Sequence, residues 1–189
     1  MKKLSLIFIS ILFLNHSAFA VVKIDITRGN LEPLPTAISK FYIDKPSKFS
    51  PELKALELDK KISEVISNNL KRSGLFSIID PESYIQSPRI AHAKPTFQDW
   101  ALIKAQIMVS GKLVIDEKKR LRVEFRLWDV VNAKEIEGLA LFATPNSWRR
   151  IAHIISDKIY ERMTGELGYF DTRIIYVAES GPKDQRIKK

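Results

Sequence analysis

Apolar and polar positions change rhythm several times along the chain. Near its start Val22, Ile24 and Ile26 alternate with Lys23, Asp25 and Thr27, and a period of two predicts an extended strand with one apolar side. Asn30, Pro33 and Pro35 interrupt it, and the apolar stretch 36–43 predicts the first strand of the domain proper. Ser50-Pro51-Glu52 then opens a helix. Serine accepts hydrogen bonds from free amides, proline tolerates the first helical position, and glutamate suits the positive end. Leu53, Leu56, Leu58, Ile62, Val65, Ile66 and Leu70 recur at helical spacing until Gly74, and residues 76–79 predict a strand ended by Asp80-Pro81.

Residues 82–94 have proline flanks and weak periodicity, which predicts a loop or short irregular element. Thr96 caps a second predicted helix running to about residue 105, with Phe97, Trp100, Ala101 and Ile103 among its apolar positions. Three strands should follow: 107–115, interrupted at Gly111; 121–128, where Leu121, Val123, Phe125 and Leu127 alternate strictly with polar residues; and 136–144, after the turn Asn132-Ala133-Lys134. Such short connections make an antiparallel meander. Asn146 is the expected cap of a third helix carrying Trp148, Ile151, Ile155, Ile159 and Met163, with Gly165 closing it. A strand at 172–178 and a frayed basic tail at 183–189 complete the reading. The predicted class is α+β: a mixed β-sheet with two to three packed helices and an antiparallel meander in the middle.

The first twenty residues change the picture. Lys2 and Lys3, an apolar run from Leu4 to Leu14, and the exit Ala18-Phe19-Ala20 make a secretory signal with cleavage expected after Ala20. The apolar run is shorter than the roughly 20 residues that span a bilayer, and Asn15, His16 and Ser17 break it. No cysteine occurs anywhere in the chain, which removes thiol catalysis, cysteine-type zinc sites and a lipoprotein anchor, and leaves packing without disulfides. The net charge of +9 falls to +7 without Lys2 and Lys3. It is scattered over helix faces and alternate strand positions, so it reads as a solvated surface rather than a nucleic-acid interface.

Chemistry-bearing patterns are sparse. His92 falls in the predicted loop without ligand-like partners and reads as a surface residue. His153 and Asp157 lie one helical turn apart with Ser156 between them. A hydrolase using His153 and Asp157 is the alternative function, but no strand-to-helix elbow exposes the serine and no glycine-rich turn supplies oxyanion amides. No phosphate loop or dinucleotide fingerprint occurs. Glu135 and Glu137 read as a surface pair, and Trp100, Trp128 and Trp148 as packing residues. No catalytic residue, metal or cofactor is expected, and the functional weight falls on binding.

Several motifs do occur in a recognisable order. They are Asn69-Leu70-Lys71-Arg72-Ser73-Gly74-Leu75-Phe76; Trp100 and Gly111; Phe125-Arg126-Leu127-Trp128-Asp129-Val130; and Arg150-Ile151-Ala152-His153 with Asp157, Ile159 and Tyr160. Met163-Thr164-Gly165-Glu166 and Phe170-Asp171-Thr172-Arg173-Ile174 with Tyr176-Val177 follow. Together they resemble the amino-terminal domains of TolB proteins of the bacterial Tol-Pal system. That resemblance implies a mixed sheet with helices, a periplasmic location, and the partners TolA and the lipoprotein Pal. It also implies that the mature amino-terminal segment, here Val21, Val22, Lys23, Ile24, Asp25, Ile26, Thr27, Arg28, Gly29 and Asn30, binds the carboxy-terminal domain of TolA. The resembled proteins continue into a six-bladed β-propeller. Pal binding resembles a propeller property and is expected only with it.

The expected organisation is a signal at 1–20, a mobile partner-binding segment at 21–34, the α+β domain at 35–169, and at 170–189 the start of a propeller with a basic tail. The expected function is a non-catalytic periplasmic adaptor supporting outer-membrane integrity and envelope constriction during cell division. A secreted scaffold unrelated to Tol-Pal is the further alternative. Export is expected to remove residues 1–20, and the intact mass of the exported protein checks this: retention of Phe19 and Ala20 moves the cleavage site.

Overall fold

The alternating segments pair into one mixed sheet because each has an apolar side that only a covering layer can remove from water. A computed structural model describes residues 32–44, 57–116, 118, 120–173, 177, 179–182 and 187–188. Strands β1 (Leu34–Ile38), β2 (Tyr42–Ile43), β3 (Phe76–Ile78), β4 (Ile107–Ile115), β5 (Leu121–Asp129) and β6 (Lys134–Ala143) run in the order β3-β1-β4-β5-β6, with β2 continuing β1 alongside β4. The first half is parallel, β1 lying between β3 and β4. The second half is the antiparallel meander expected from its short turns. The class is α+β, as the sequence predicted.

Helices α1 (Leu58–Arg72) and α4 (Trp148–Thr164) cover one face. Their buried Ile62, Ile66, Leu70, Ile151, Ile155 and Ile159 meet Val109, Leu113, Val123, Phe125 and Leu127 of the sheet. Each such side chain fully removed from water contributes about 1.5–3 kcal/mol. Two short helices, α2 (Pro88–Ala93) and α3 (Phe97–Leu102), lie on the other face, where Trp100, Met108, Trp128 and Ala91 form a smaller core. A parallel β3-to-β4 connection needs a crossover segment, and α2 and α3 supply it. Four helices are thus described where two to three were expected.

Several expectations are corrected. The single long helix from Ser50 does not hold: Glu57 stands in the left-handed region at φ 51°, and α1 opens after it at Leu58. The proposed cap at Ser50, with Leu53 and Leu56, lies outside the described residues, as does the strand of Val22, Ile24 and Ile26. Residues 82–94 contain α2, which carries His92 inward to 3% exposure, so His92 is a core residue and not a surface one. The second helix stops at Leu102, because Lys104 takes φ 61°. Asn146 does not cap the third helix; it sits in a 3-10 turn, Pro145–Ser147, and Ser147 takes the capping position.

At the chain's end, Thr172, Arg173 and Val177 are not in a strand, and 174–176 and 178 lie outside the described residues. A small ladder pairs β7 (Glu179–Ser180) with β8 (Ile187–Lys188), so part of the tail read as frayed is paired. Gly74 and Gly165 do end their helices as expected, at φ 74° and 83°.

Gly111 does not interrupt β4. Between Ile38, opposite Val109, and Tyr42, opposite Lys112, the β1–β2 chain advances one residue more than β4. The surplus is taken up by Ser39, Lys40 and Phe41, and the Phe41 ring, 1% exposed, packs so closely onto Gly111 that any β-carbon there would overlap its Cδ2, Cε2 and Cζ atoms. Glycine is required there for close approach rather than for a turn. Gly111→Ala should therefore destabilise the domain by about 1–3 kcal/mol through overpacking. Phe41→Leu in the same chain should recover part of that loss, and urea midpoints for both variants check it.

Candidate interaction site

The segment expected to bind a partner, Val21 to Asn30, lies outside the described residues. The chain is described from Glu32, where Glu32 and Pro33 are exposed and the Leu34 amide donates to Leu75 O at 2.9 Å. From there it enters β1, an interior strand flanked by β3 and β4.

The three residues that suggested a relay are committed to other bonds. Ser156 is fully buried, donates to Ala152 O at 2.8 Å and accepts from Asn69 Nδ2 at 3.0 Å. His153 Nδ1 faces the same amide at 2.9 Å. Asp157 turns outward and accepts the Phe170 and Asp171 amides at 2.7 and 3.0 Å. Serine and histidine thus share the Asn69 amide rather than bonding each other, aspartate is turned to a different segment, and the hydrolytic arrangement is not assembled. Burial lowers the His153 pKa, with Arg149 adding to the effect.

Asp157 instead fastens the segment that leaves α4. Arg150 Nε reaches the Asp171 carboxylate at 3.2 Å, and Tyr160, Tyr169 and Phe170 form a triangle of ring contacts with centroids 4.6–6.0 Å apart. Gly168 passes so close to Asp157 that a β-carbon would meet its backbone. The chain beyond Gly165 is therefore laid back along its own helix.

On the opposite face a polar group penetrates the sheet. Trp128 Nε1 donates to Ser110 Oγ at 3.0 Å, and Ser110 Oγ lies 3.4 Å from His92 Nδ1. An indole nitrogen only donates, so the serine proton is free to go to Nδ1, which leaves the His92 proton on Nε2, 3.9 Å from Glu124. Glu124 is already held by Lys112 at 3.0 Å and Arg122 at 2.6 Å, and Arg126 donates to His92 O at 3.2 Å. Burial and then Arg126 push the His92 pKa down to about 4, which the Glu124 charge offsets only in part. Tyr42, edge-on to His92 at 5.7 Å, closes this cluster under the Arg89 guanidinium. Sequence reasoning missed both buried networks. The available signal was polar residues at stripe positions, namely Asn69 beside Leu70, Ser156 between Ala152 and Ile159, and Ser110 inside an apolar strand.

These features define a class: an α+β module with a helix layer on each face of a mixed sheet, its serine, histidine and aspartate side chains spent on packing and on holding its exit. The model of the TolB amino-terminal domain family matches residues 22–136, and the chain belongs to that family. It is 55% identical over 186 residues to the Tol-Pal system protein TolB of Pelagibacter ubique (strain HTCC1062), a match that covers 97% of this chain and 41% of that protein. The chain therefore spans about two fifths of the length of that relative. The crystal structure of TolB from Acinetobacter baumannii superposes with a TM-score of 0.62 at 21% identity, over 83% of this chain and 35% of that one, and shares the fold.

Among the described residues no helix is long and apolar enough to cross a membrane, and no group of three or more His, Asp or Glu is placed to hold a metal. The buried His92 has a thermodynamic consequence. Its folded pKa lies below the ordinary 6.5, so in the window from about 6.5 down to about 4 the unfolded chain binds the extra proton and stability falls with pH. Below that window both states are protonated and the loss is complete, at up to about 3 kcal/mol. Chemical denaturation at a series of pH values should show this slope, and His92→Phe should flatten it.

Proposed function

We propose that this chain is a non-catalytic binding module of the Tol-Pal system that acts in the periplasm. Residues Val21 to Asn30 serve as an extended segment that adds a strand to the carboxy-terminal domain of TolA. Family membership supports the system, and the signal-like first twenty residues support the compartment. The observation that carries the binding mode is that β1 already has a neighbour on each side, so the preceding residues are not required to complete the sheet. Their alternation of Val22, Ile24 and Ile26 with polar residues suits strand addition, in which main-chain hydrogen bonds give affinity and alternate side chains give register.

The reading extends to envelope constriction during cell division and to outer-membrane integrity through the TolA connection. Pal binding is assigned to the propeller of the longer relatives and not to this module. A hydrolase built on His153 and Asp157 finds no support in the separate bonds those side chains make. Deleting Val21 to Ile26 should abolish TolA binding while leaving the melting temperature nearly unchanged. Ile24→Pro should imitate the deletion by removing a backbone donor. Calorimetric titration with the TolA carboxy-terminal domain beside a melting curve decides the matter: full binding by the deleted protein refutes the proposal, and a large drop in melting makes the segment a structural strand.

A further inference from the structure

The helix layer carries a groove of about 370 Å³ between the last turns of α1 and the first turns of α4, lined by Val65, Asn68, Asn69, Lys71, Arg72, Arg149 and His153. Among the described residues it has no carboxylate in its lining. Other grooves on this surface are balanced: one sets Lys158 and Arg162 beside Glu137 and Glu161, another Arg122 and Arg126 beside Glu124 and Glu135. Here Arg72, Arg149 and Lys71, the last at a rim shared with a neighbouring groove, make no ion pair among the described residues. The nearby acids are engaged elsewhere, Asp157 by two backbone amides and Asp171 by Arg150.

The donors are also held in place. Arg72 Nη2 donates to Asn69 Oδ1 at 2.8 Å, and Asn69 is 1% exposed. A guanidinium only donates, so Oδ1 must face Arg72 and the amide nitrogen must face Ser156 and His153. His153 Nδ1 then accepts from that amide, and the neutral ring carries its proton on Nε2. Charging the ring would put a second proton against the amide donor, in keeping with its lowered pKa. The Arg149 guanidinium lies over the Trp148 ring, 4.9 Å from its centroid. A single buried asparagine thus orients one cation and fixes the tautomer of a neighbouring donor.

We propose that this groove binds a phosphate group, with Arg72, Arg149 and Lys71 supplying charge and Asn68 and the neutral His153 ring supplying N–H donors. Two guanidinium forks, an ammonium and two neutral donors around one small groove suit an anion with several equivalent oxygens. A carboxylate offers only two. Among the described residues the site draws on α1 and α4 alone, and it does not rest on the proposal for TolA. The phosphate is either a membrane headgroup or one borne by a soluble molecule.

The test is titration of the chain, residues 21–189, with inorganic phosphate at low ionic strength, followed by calorimetry and by the His153 and arginine side-chain resonances. Saturable binding with shifts confined to this groove is expected. Arg149→Gln and Lys71→Gln, both at exposed positions, should each weaken it about tenfold with unchanged melting. Affinity should rise from about pH 6.5 to 8, as phosphate gains its second charge and the lowered His153 pKa leaves the ring neutral above its ordinary 6.5. A fall over that range overturns the neutral-donor assignment, and absent or variant-insensitive phosphate binding overturns the site. Tighter binding of a short glutamate peptide than of phosphate also overturns it, in favour of an acidic protein partner. Vesicles containing phosphatidylglycerol separate the sources: Arg149-dependent vesicle binding assigns the headgroup, and phosphate binding without it assigns a soluble bearer.

Discussion

The constraint on which the architecture depends is the burial of β4 on both of its faces. Ile107, Val109, Leu113 and Ile115 point into the larger core, while Met108 and Ser110 point into the smaller one. A strand buried on both sides needs a layer above and a layer below, and a hydrogen-bonded neighbour at each edge. Strands β1 and β2 take one edge and β5 the other. Helices α1 and α4 form the thicker layer, α2 and α3 the thinner. Gly111 sits at the centre of this arrangement, where absence of a side chain lets Phe41 close the gap left by the irregular β1–β2 junction.

Where polar groups enter the interior, the same logic orders both of them. A donor-only group approaches an ambivalent one and fixes its orientation: Trp128 does this to Ser110, and Arg72 to Asn69. Each then sets the tautomer of a histidine, His92 on one face and His153 on the other. Burial and nearby arginines keep both rings neutral toward acid conditions that would charge an ordinary histidine. The two networks differ in what surrounds them. Carboxylates balance the cations near His92, whereas the cations near His153 are left to face solvent.

The two ends of the domain are treated differently as well. The chain enters at an interior strand whose pairing is already satisfied, and it leaves along α4 under the grip of Asp157, Arg150 and three aromatic rings. An entry preceded by an alternating segment suits recognition by strand addition.

Much of this was set by local sequence. The meander at 107–143 was legible because alternation has a period of two and its turns are short, and Gly74 and Gly165 mark helix ends because only glycine readily takes positive φ. The family motifs were legible for the same reason: they are contiguous strings. Tertiary structure alone decided the rest. Whether helix propensity from residue 51 continues through Glu57, whether a short turn at 88–93 becomes a helix, and whether His92 faces water depend on a sheet face that needs covering, and burial energy outweighs weak local preference. The cationic groove is assembled from residues near 70 and near 150, which no spacing in sequence connects; only the packing of α1 against α4 brings them to one place.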